Sequence, residues 1–281
     1  MLSYRHAFHA GNHADMIKHF ILFLTLDYFN QKDKPYWYID THSGAGLYDL
    51  SGNEAQKVGE YKQGIRLLQE AEHLSPELSA FIARLKSILP QEQLYCGSPW
   101  LAQALTRHSD KLRLFELHPA DFQHLKNNME EARLGRRGQI VQTDGFRGLI
   151  SQLPPPPRRA VVLIDPPYEE KQDYQRVVQT LKDALKRFEQ GCYMVWYPCL
   201  SREESRKLPE QLQKLMPDSY LHAELYVHTP RPDGFGMHGS GMFIINPPYL
   251  LPELLKNNLP ALTDILAQDN GARFILNSCI K

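Results

Sequence analysis

The stretch Val161-Val162-Leu163-Ile164-Asp165-Pro166-Pro167-Tyr168 constrains the fold more than any other part of this chain. Four β-favouring apolar residues in succession predict a strand buried on both faces, as the strands of parallel sheets are. Two prolines follow, and neither can donate to a ladder, so the strand stops there. Asp165 is thereby placed at the carboxyl edge of a parallel sheet, with an aromatic ring three residues on. Open α/β sheets bind their ligands at that edge. The plainer alternative is a strand end followed by a turn and nothing more.

Asp165 to Tyr168 suits one chemistry well. An exocyclic amine on a nucleobase is a poor nucleophile, because its lone pair is delocalised into the ring. A carboxylate at Asp165 can accept one amine hydrogen and the Pro166 carbonyl the other, which pulls electron density onto the nitrogen. Proline fixes φ and holds that carbonyl rigidly. The face of Tyr168 can stack on a base taken out of its helix or loop. The segment resembles motif IV of S-adenosylmethionine-dependent amino-methyltransferases.

The strands around it follow from the same reading. Tyr36 to Asp40 is strand-like and runs into Thr41-His42-Ser43-Gly44-Ala45-Gly46, a glycine loop that lets backbone approach a nucleotide-like ligand. A dinucleotide fingerprint would place its third glycine where Asp49 stands, which disfavours a nicotinamide-dependent oxidoreductase. Leu112 to Phe115 is a second strand, and Glu116 at its end is either a ribose-hydroxyl acceptor or a surface acid. Gln139 to Thr143 is a third, ending in Asp144-Gly145-Phe146, where the carboxylate could accept from an adenine amino group. After Asp165 come a helix over about 174–188, a strand at Tyr193 to Tyr197 closed by Pro198, an alternating strand at Leu221 to Val227, and Met242 to Ile245.

A second candidate for the same motif is Asn246-Pro247-Pro248-Tyr249. Order decides between them: the Asp165 strand is fourth in the series and belongs beside the glycine-loop strand, whereas Asn246 ends the last strand. Arg231 to Gly241 is expected to be a flexible glycine-rich loop at the substrate cleft.

Residues 49–95 carry helical apolar spacing, with Ser75-Pro76 a helix start, and are expected to form a small helical insertion or ordinary crossover helices. Ser98, capping a helix with Pro99 in its first turn, opens the next element. Near the amino end, Asn12 is a helix cap with Asp15 at capping-box offset, ahead of the stripe Met16, Phe20, Phe23, Leu24. The nearby histidines allow three readings: a metal pair at His9 and His13, surface or capping side chains, or a polar arm that touches ligand.

At 281 residues the chain can bury one large core, so residues 1–281 are expected to be a single domain carrying the 49–95 insertion. Lys+Arg and Asp+Glu both number 32, so a nucleic-acid partner would need a local basic patch. The four cysteines, Cys96, Cys192, Cys199 and Cys279, form no close pair, as expected of reduced thiols in a cytoplasmic protein without a zinc site. No apolar run reaches membrane-spanning length, and the first residues are not a signal peptide.

Taken together, the chain resembles the large-subunit ribosomal RNA N6-adenine methyltransferases of the methyltransferase J type. The resemblance lies in Leu2 to His6, His9 to Asp15, Lys18-His19, Asp40 to His42 with Gly44 to Gly46, Gly97 to Pro99, Glu116 to Pro119, Asp144 to Phe146 and Leu163 to Tyr168. Trp196 to Pro198, Gly241-Met242 and Ile245 to Pro248 match as well, with Ser43 where the family has alanine. The resemblance implies a Rossmann-like class I methyltransferase fold, a seven-stranded, mostly parallel α/β sheet with a helical insertion. It implies S-adenosylmethionine as cofactor, held by His19, His42, Ser98, Glu116, Asp144, Gly145 and Asp165. It implies Asp165, with Pro166 and Tyr168, as the catalytic group, and Tyr4 and Tyr168 on the substrate. The implied reaction is methylation of N6 of a single adenine in 23S rRNA, protein-free or early in assembly, by a monomer. A DNA adenine-N6 methyltransferase shares this chemistry, but the chain leaves no room for a separate target-recognition domain. A non-catalytic RNA-binding module has no use for Asp165 beside two prolines.

Overall fold

Residues 160–164 do form a strand buried on both faces, and the molecule is laid out around it. The structure is a computed structural model and describes residues 5–280. In chain order its elements are α1 (His13–Asn30), β1 (Trp37–Asp40), β2 (Leu47–Asp49), α2 (Asn53–Val58), α3 (Ile65–Glu70), α4 (Pro76–Ile88), β3 (Leu94–Cys96) and α5 (Ser98–Leu105). There follow β4 (Lys111–Phe115), α6 (Pro119–Glu131), β5 (Gly138–Val141), α7 (Gly145–Ser151), β6 (Ala160–Ile164), α8 (Gln172–Arg187) and β7 (Cys192–Cys199). The chain ends with α9 (Glu203–Gln213), β8 (Tyr220–Tyr226), β9 (Gly239–Ile245), α10 (Leu251–Leu266) and β10 (Arg273–Cys279).

The main sheet has eight strands in the order β10-β8-β9-β7-β6-β1-β4-β5. From β5 to β7 all neighbours are parallel, and β9, β8 and β10 then add antiparallel. That is one strand more than the seven expected. The addition is β10, an edge strand with most of its residues exposed or half-buried, so it lacks the apolar run that marks an inner strand.

Side-chain alternation splits the core into two layers. Val161 and Leu163 face a layer built with α1, α4, α5 and α10, while Val162 and Ile164 face one built with α7, α8 and α9. All four are fully buried, and each contributes on the order of 1.5–3 kcal/mol of apolar transfer. The segment 49–95 holds α2, α3 and α4 between β2 and β3, which pair antiparallel as a separate two-stranded ribbon.

The strand order reverses at β1, which lies between β4 and β6. The carboxyl ends of β1, β4 and β6 therefore diverge around a crevice, the place where such sheets hold ligands. The Asn246 turn lies elsewhere. Ile245, at the end of β9, pairs with Tyr193 near the start of β7, so Asn246 sits at the opposite end of the sheet, where its amide donates to the Glu189 and Gly191 carbonyls. Gly239 to Gly241 belong to buried β9, not to a loose loop. A Cβ on Gly239 would fall 2.5 Å from the Leu225 carbonyl oxygen, and one on Gly241 2.2 Å from the Tyr197 ring, so these glycines serve close packing.

Candidate active site

Two strand ends and a glycine loop build the crevice. The Thr41 amide donates to the Leu163 carbonyl at 3.1 Å, which locks the end of β1 to β6 just before Asp165. Gly44 and Gly46 hold φ of +59° and +82°, left-handed values that open the loop toward the cavity. The loop is pinned by Glu116, whose Oε2 accepts from the Gly44 amide at 2.8 Å and whose Oε1 accepts from the His118 amide at 2.7 Å. Burial raises the Glu116 pKa, against those backbone hydrogen bonds.

Beneath the loop, Asp40 is fully buried and receives the Tyr38 and Ser98 hydroxyls at 2.7 Å each. Burial pushes its pKa up to about 6. Ser98 is the first residue of α5 and not its cap, which is Gly97, so its hydroxyl is free to brace Asp40 from the rim. At the far end of the crevice Asp144 caps α7, accepting from the Phe146 and Arg147 amides. Its other oxygen pairs with Arg176, whose guanidinium lies 4.4 Å over the Phe146 ring. Burial works against the Asp144 charge, but the Arg147 amide and Arg176 outweigh it and lower its pKa. His42 meets Phe146 edge-on at 4.9 Å, and burial pushes its pKa down to about 4, so it is neutral at pH 7.

Asp165 projects from the end of β6 with its side chain 14% exposed. Its Oδ2 accepts from the Lys18 ammonium at 2.7 Å, and Lys18 in turn pairs with Asp15 Oδ1 at 2.9 Å. Lys18 is buried in α1 and packs 5.5 Å from the Trp196 ring. Burial opposes its charge, but Asp15 and Asp165 overcome that and raise its pKa above the usual ammonium range. Asp15 is the hub: Oδ2 accepts from the Gly11 amide at 2.8 Å and lies 2.9 Å from His6 Nε2. Reaching back to Gly11 instead of Asn12, Asp15 makes a variant of the expected capping box, while Asn12 caps Ala14 and Asp15 as anticipated. Burial would push the Asp15 pKa up, yet His6 and Lys18 hold it well below the carboxylate range. His19 stands beside this hub with Nδ1 2.6 Å from the Tyr95 hydroxyl, its pKa pushed down to about 3 by burial.

These groups surround one cavity of about 640 Å³, within the range of cofactor-sized sites. His19, His42, Ser98, Glu116, Asp144, Gly145, Asp165, Pro166 and Tyr168 all line it, so the sequence-predicted residues within the described chain converge. Tyr4 lies outside the described residues. Tyr168 departs from its expected role as an open stacking face. It is 3% exposed, its hydroxyl donates to the Trp196 carbonyl at 2.7 Å, and its ring packs on Tyr174 and Trp196. A φ of +52° at Tyr168 accompanies this tucked placement.

Sequence reasoning did not single out Lys18, Asp15, Arg176 or Trp196 as site residues. Asp15 and Lys18 carried a signal: two opposite charges three apart, inside an apolar helical stripe, are a pair the fold must bury together. The spacing argument for a metal pair fails, because His9 precedes α1 and its Nδ1 meets Glu60 at 3.0 Å.

Comparison with known proteins agrees over nearly the whole chain. A family model described as Ribosomal RNA large subunit methyltransferase D, RlmJ matches residues 33–276. The Ribosomal RNA large subunit methyltransferase J of Escherichia coli (strain K12) is 43% identical over 264 residues, 93% of each chain. That of Haemophilus influenzae (strain ATCC 51907 / DSM 11121 / KW20 / Rd) is 41% identical over 272 residues, 96% of this chain and 95% of the other. A crystal structure of a protein from Legionella pneumophila str. Philadelphia 1 superposes with a TM-score of 0.87 at 33% identity, covering 97% of this chain and all of that one.

Proposed function

The chain belongs to the RlmJ family of ribosomal RNA large subunit methyltransferases, and from that membership and the setting of Asp165 we propose that it methylates N6 of one adenine in 23S rRNA. The observation that carries the chemistry is a carboxylate at the end of β6, fixed by Lys18 through one oxygen and opening on a cofactor-sized cavity.

The residues present fit S-adenosylmethionine, which supplies a methyl group on a sulfonium when bound. Glu116 at the glycine loop would meet the ribose hydroxyls, and Asp144 with the α7 amino end the adenine. His19, His42, Ser98 and Gly145 complete the lining. Neutral imidazoles at His19 and His42 add no positive charge near a cation.

Asp165 keeps its free oxygen for one hydrogen of the adenine amino group, and the Pro166 carbonyl takes the other. Drawing density onto N6 raises its nucleophilicity. The nitrogen becomes acidic only as the new bond forms, so Asp165 serves as a hydrogen-bond acceptor and need not be a strong base. Lys18 holds the Asp165 side chain in place through Oδ2. Tyr168, tucked under Trp196, supports the turn that aims the Pro166 carbonyl. The helices of 49–95 form an inserted subdomain in this reading, and the protein works as a cytoplasmic monomer on rRNA that is protein-free or early in assembly.

Labelled methyl donor offered with 23S rRNA or duplex DNA tests the assignment. Label is expected in rRNA, as N6-methyladenosine after digestion to nucleosides. Label in DNA alone, or on another atom, would overturn it.

Gly145 offers a test of the cofactor seat. A Cβ there would lie 1.7 Å from the Thr41 carbonyl oxygen, so α7 and the glycine loop must part. Gly145→Ala is expected to lower kcat/KM for S-adenosylmethionine on the order of a hundredfold, the scale of ångström misplacements. Steady-state kinetics at saturating rRNA would read it, and an unchanged value would remove Gly145 from the seat.

A further inference from the structure

Among the described residues two aromatic side chains stand largely in water, Phe235 at 77% exposed and Tyr249 at 72%. Strand register puts them at opposite ends of the sheet. β9 starts at Gly239 opposite Cys199, the last residue of β7, and ends at Ile245 opposite Tyr193. The segment entering β9 therefore lies at the same end as Asp165, and Tyr249, beyond β9, at the other. Continuity of the chain brings Phe235 closer still, because the next two residues, Gly236 and Met237, line the cavity while Phe235 does not. The ring sits just outside the mouth.

This segment is built to hold the ring outward. The Gly234 amide donates to the Arg231 carbonyl at 2.9 Å, and the Phe235 amide donates to Asp233 Oδ1 at 3.0 Å. Arg231 also pairs with Asp233 at 3.1 Å, which closes a small turn. Gly234 and Gly236 hold φ of +69° and +89° on either side of Phe235. At the base, the His238 amide donates to the Cys199 carbonyl and the Val227 amide to the His238 carbonyl, fastening the segment to β7 and β8.

A phenyl ring left in water forgoes its burial, and it has no polar edge to hydrate. What it offers is a flat apolar face. If one adenine of an RNA is drawn into the cavity, its neighbour loses a stacking partner at the mouth, and aromatic side chains take up such unstacked bases. We infer that Phe235 stacks on an unpaired base flanking the target adenine, so that residues 229–238 form part of the RNA-binding face. This rests on the rRNA methyltransferase reading and extends it from the cavity to its rim.

Phe235→Trp tests the stack directly. On titration with a 23S rRNA transcript its added tryptophan emission should be quenched by at least half, relative to the wild-type signal from Trp37, Trp100 and Trp196. In kinetics, Phe235→Ala should raise KM for the transcript roughly tenfold, the loss of one base–aromatic stack, and leave kcat and S-adenosylmethionine affinity unchanged. Phe235→Trp should restore KM. An unquenched tryptophan, or a wild-type KM in the alanine variant, overturns the stacking role. Absence of methyl transfer by the wild-type protein would instead overturn the substrate reading, and the quench would still decide the role of Phe235.

Discussion

Asp165→Ala is expected to lower kcat for methyl transfer about a thousandfold, within the range ascribed to a positioned proton acceptor. S-adenosylmethionine affinity should stay within a few-fold of wild type. Glu116 and Asp144, not Asp165, occupy the ribose and adenine ends of the cavity in the proposed arrangement. Single-turnover kinetics with labelled methyl donor, set beside equilibrium dialysis of the donor alone, separates the two quantities. Asp165→Asn sharpens the result: it keeps an acceptor oxygen of the same shape but loses the charge that Lys18 grips. Its rate should fall between wild type and alanine. Full methylation by the alanine variant would remove Asp165 from the chemistry.

The second large effect concerns stability. Asp15→Asn leaves Lys18 buried with Asp165 as its remaining carboxylate among the described residues, and takes the charge from beside His6. Breaking a buried pair from one side costs about 3–5 kcal/mol. For a chain of this size that lowers Tm by on the order of 10 °C. The pH dependence has a definite sign. Asp15 has a folded pKa well below its unfolded value, so its contribution is complete above the unfolded pKa of 3.8 and is lost as pH falls through the folded one. The gap in Tm between wild type and variant should therefore be full at neutral pH and narrow below about pH 4. Thermal unfolding followed by circular dichroism across that range checks it, and a gap that is absent or does not change with acid counts against the hub.

Much of this architecture is legible in the amino-acid sequence, and the reasons are local. Ala160 to Ile164 is apolar, β-branched at Val161, Val162 and Ile164, and followed closely by two prolines, so strand, burial and edge position all follow from a few neighbouring residues. The glycine loop is legible because left-handed φ at Gly44 and Gly46 is a backbone demand that side chains rarely meet. β10 is not legible, since an edge strand that leaves Arg273 and Phe274 exposed shows no alternation to detect. Pro198 misleads for a related reason. It does not end β7, because beyond the Ile164–Val195 pairing β6 no longer runs alongside, and an edge tolerates a residue without an N–H. Tyr168 misleads because its identity suggests a stacking face, whereas the turn at positive φ tucks the ring under β7. The Lys18–Asp165 link is invisible to any local pattern, being made by chain folding alone.

That link joins residues 147 positions apart. On a chain growing from its amino end, α1 is finished long before β6 has been made. Until then the Lys18 ammonium has no carboxylate from β6 to meet, and β9, the strand of the main sheet that α1 packs against, comes later still. This helix can meet α5 early, but its place on the sheet is complete only when β9 has been made, so an element made among the first is among the last to be fully seated.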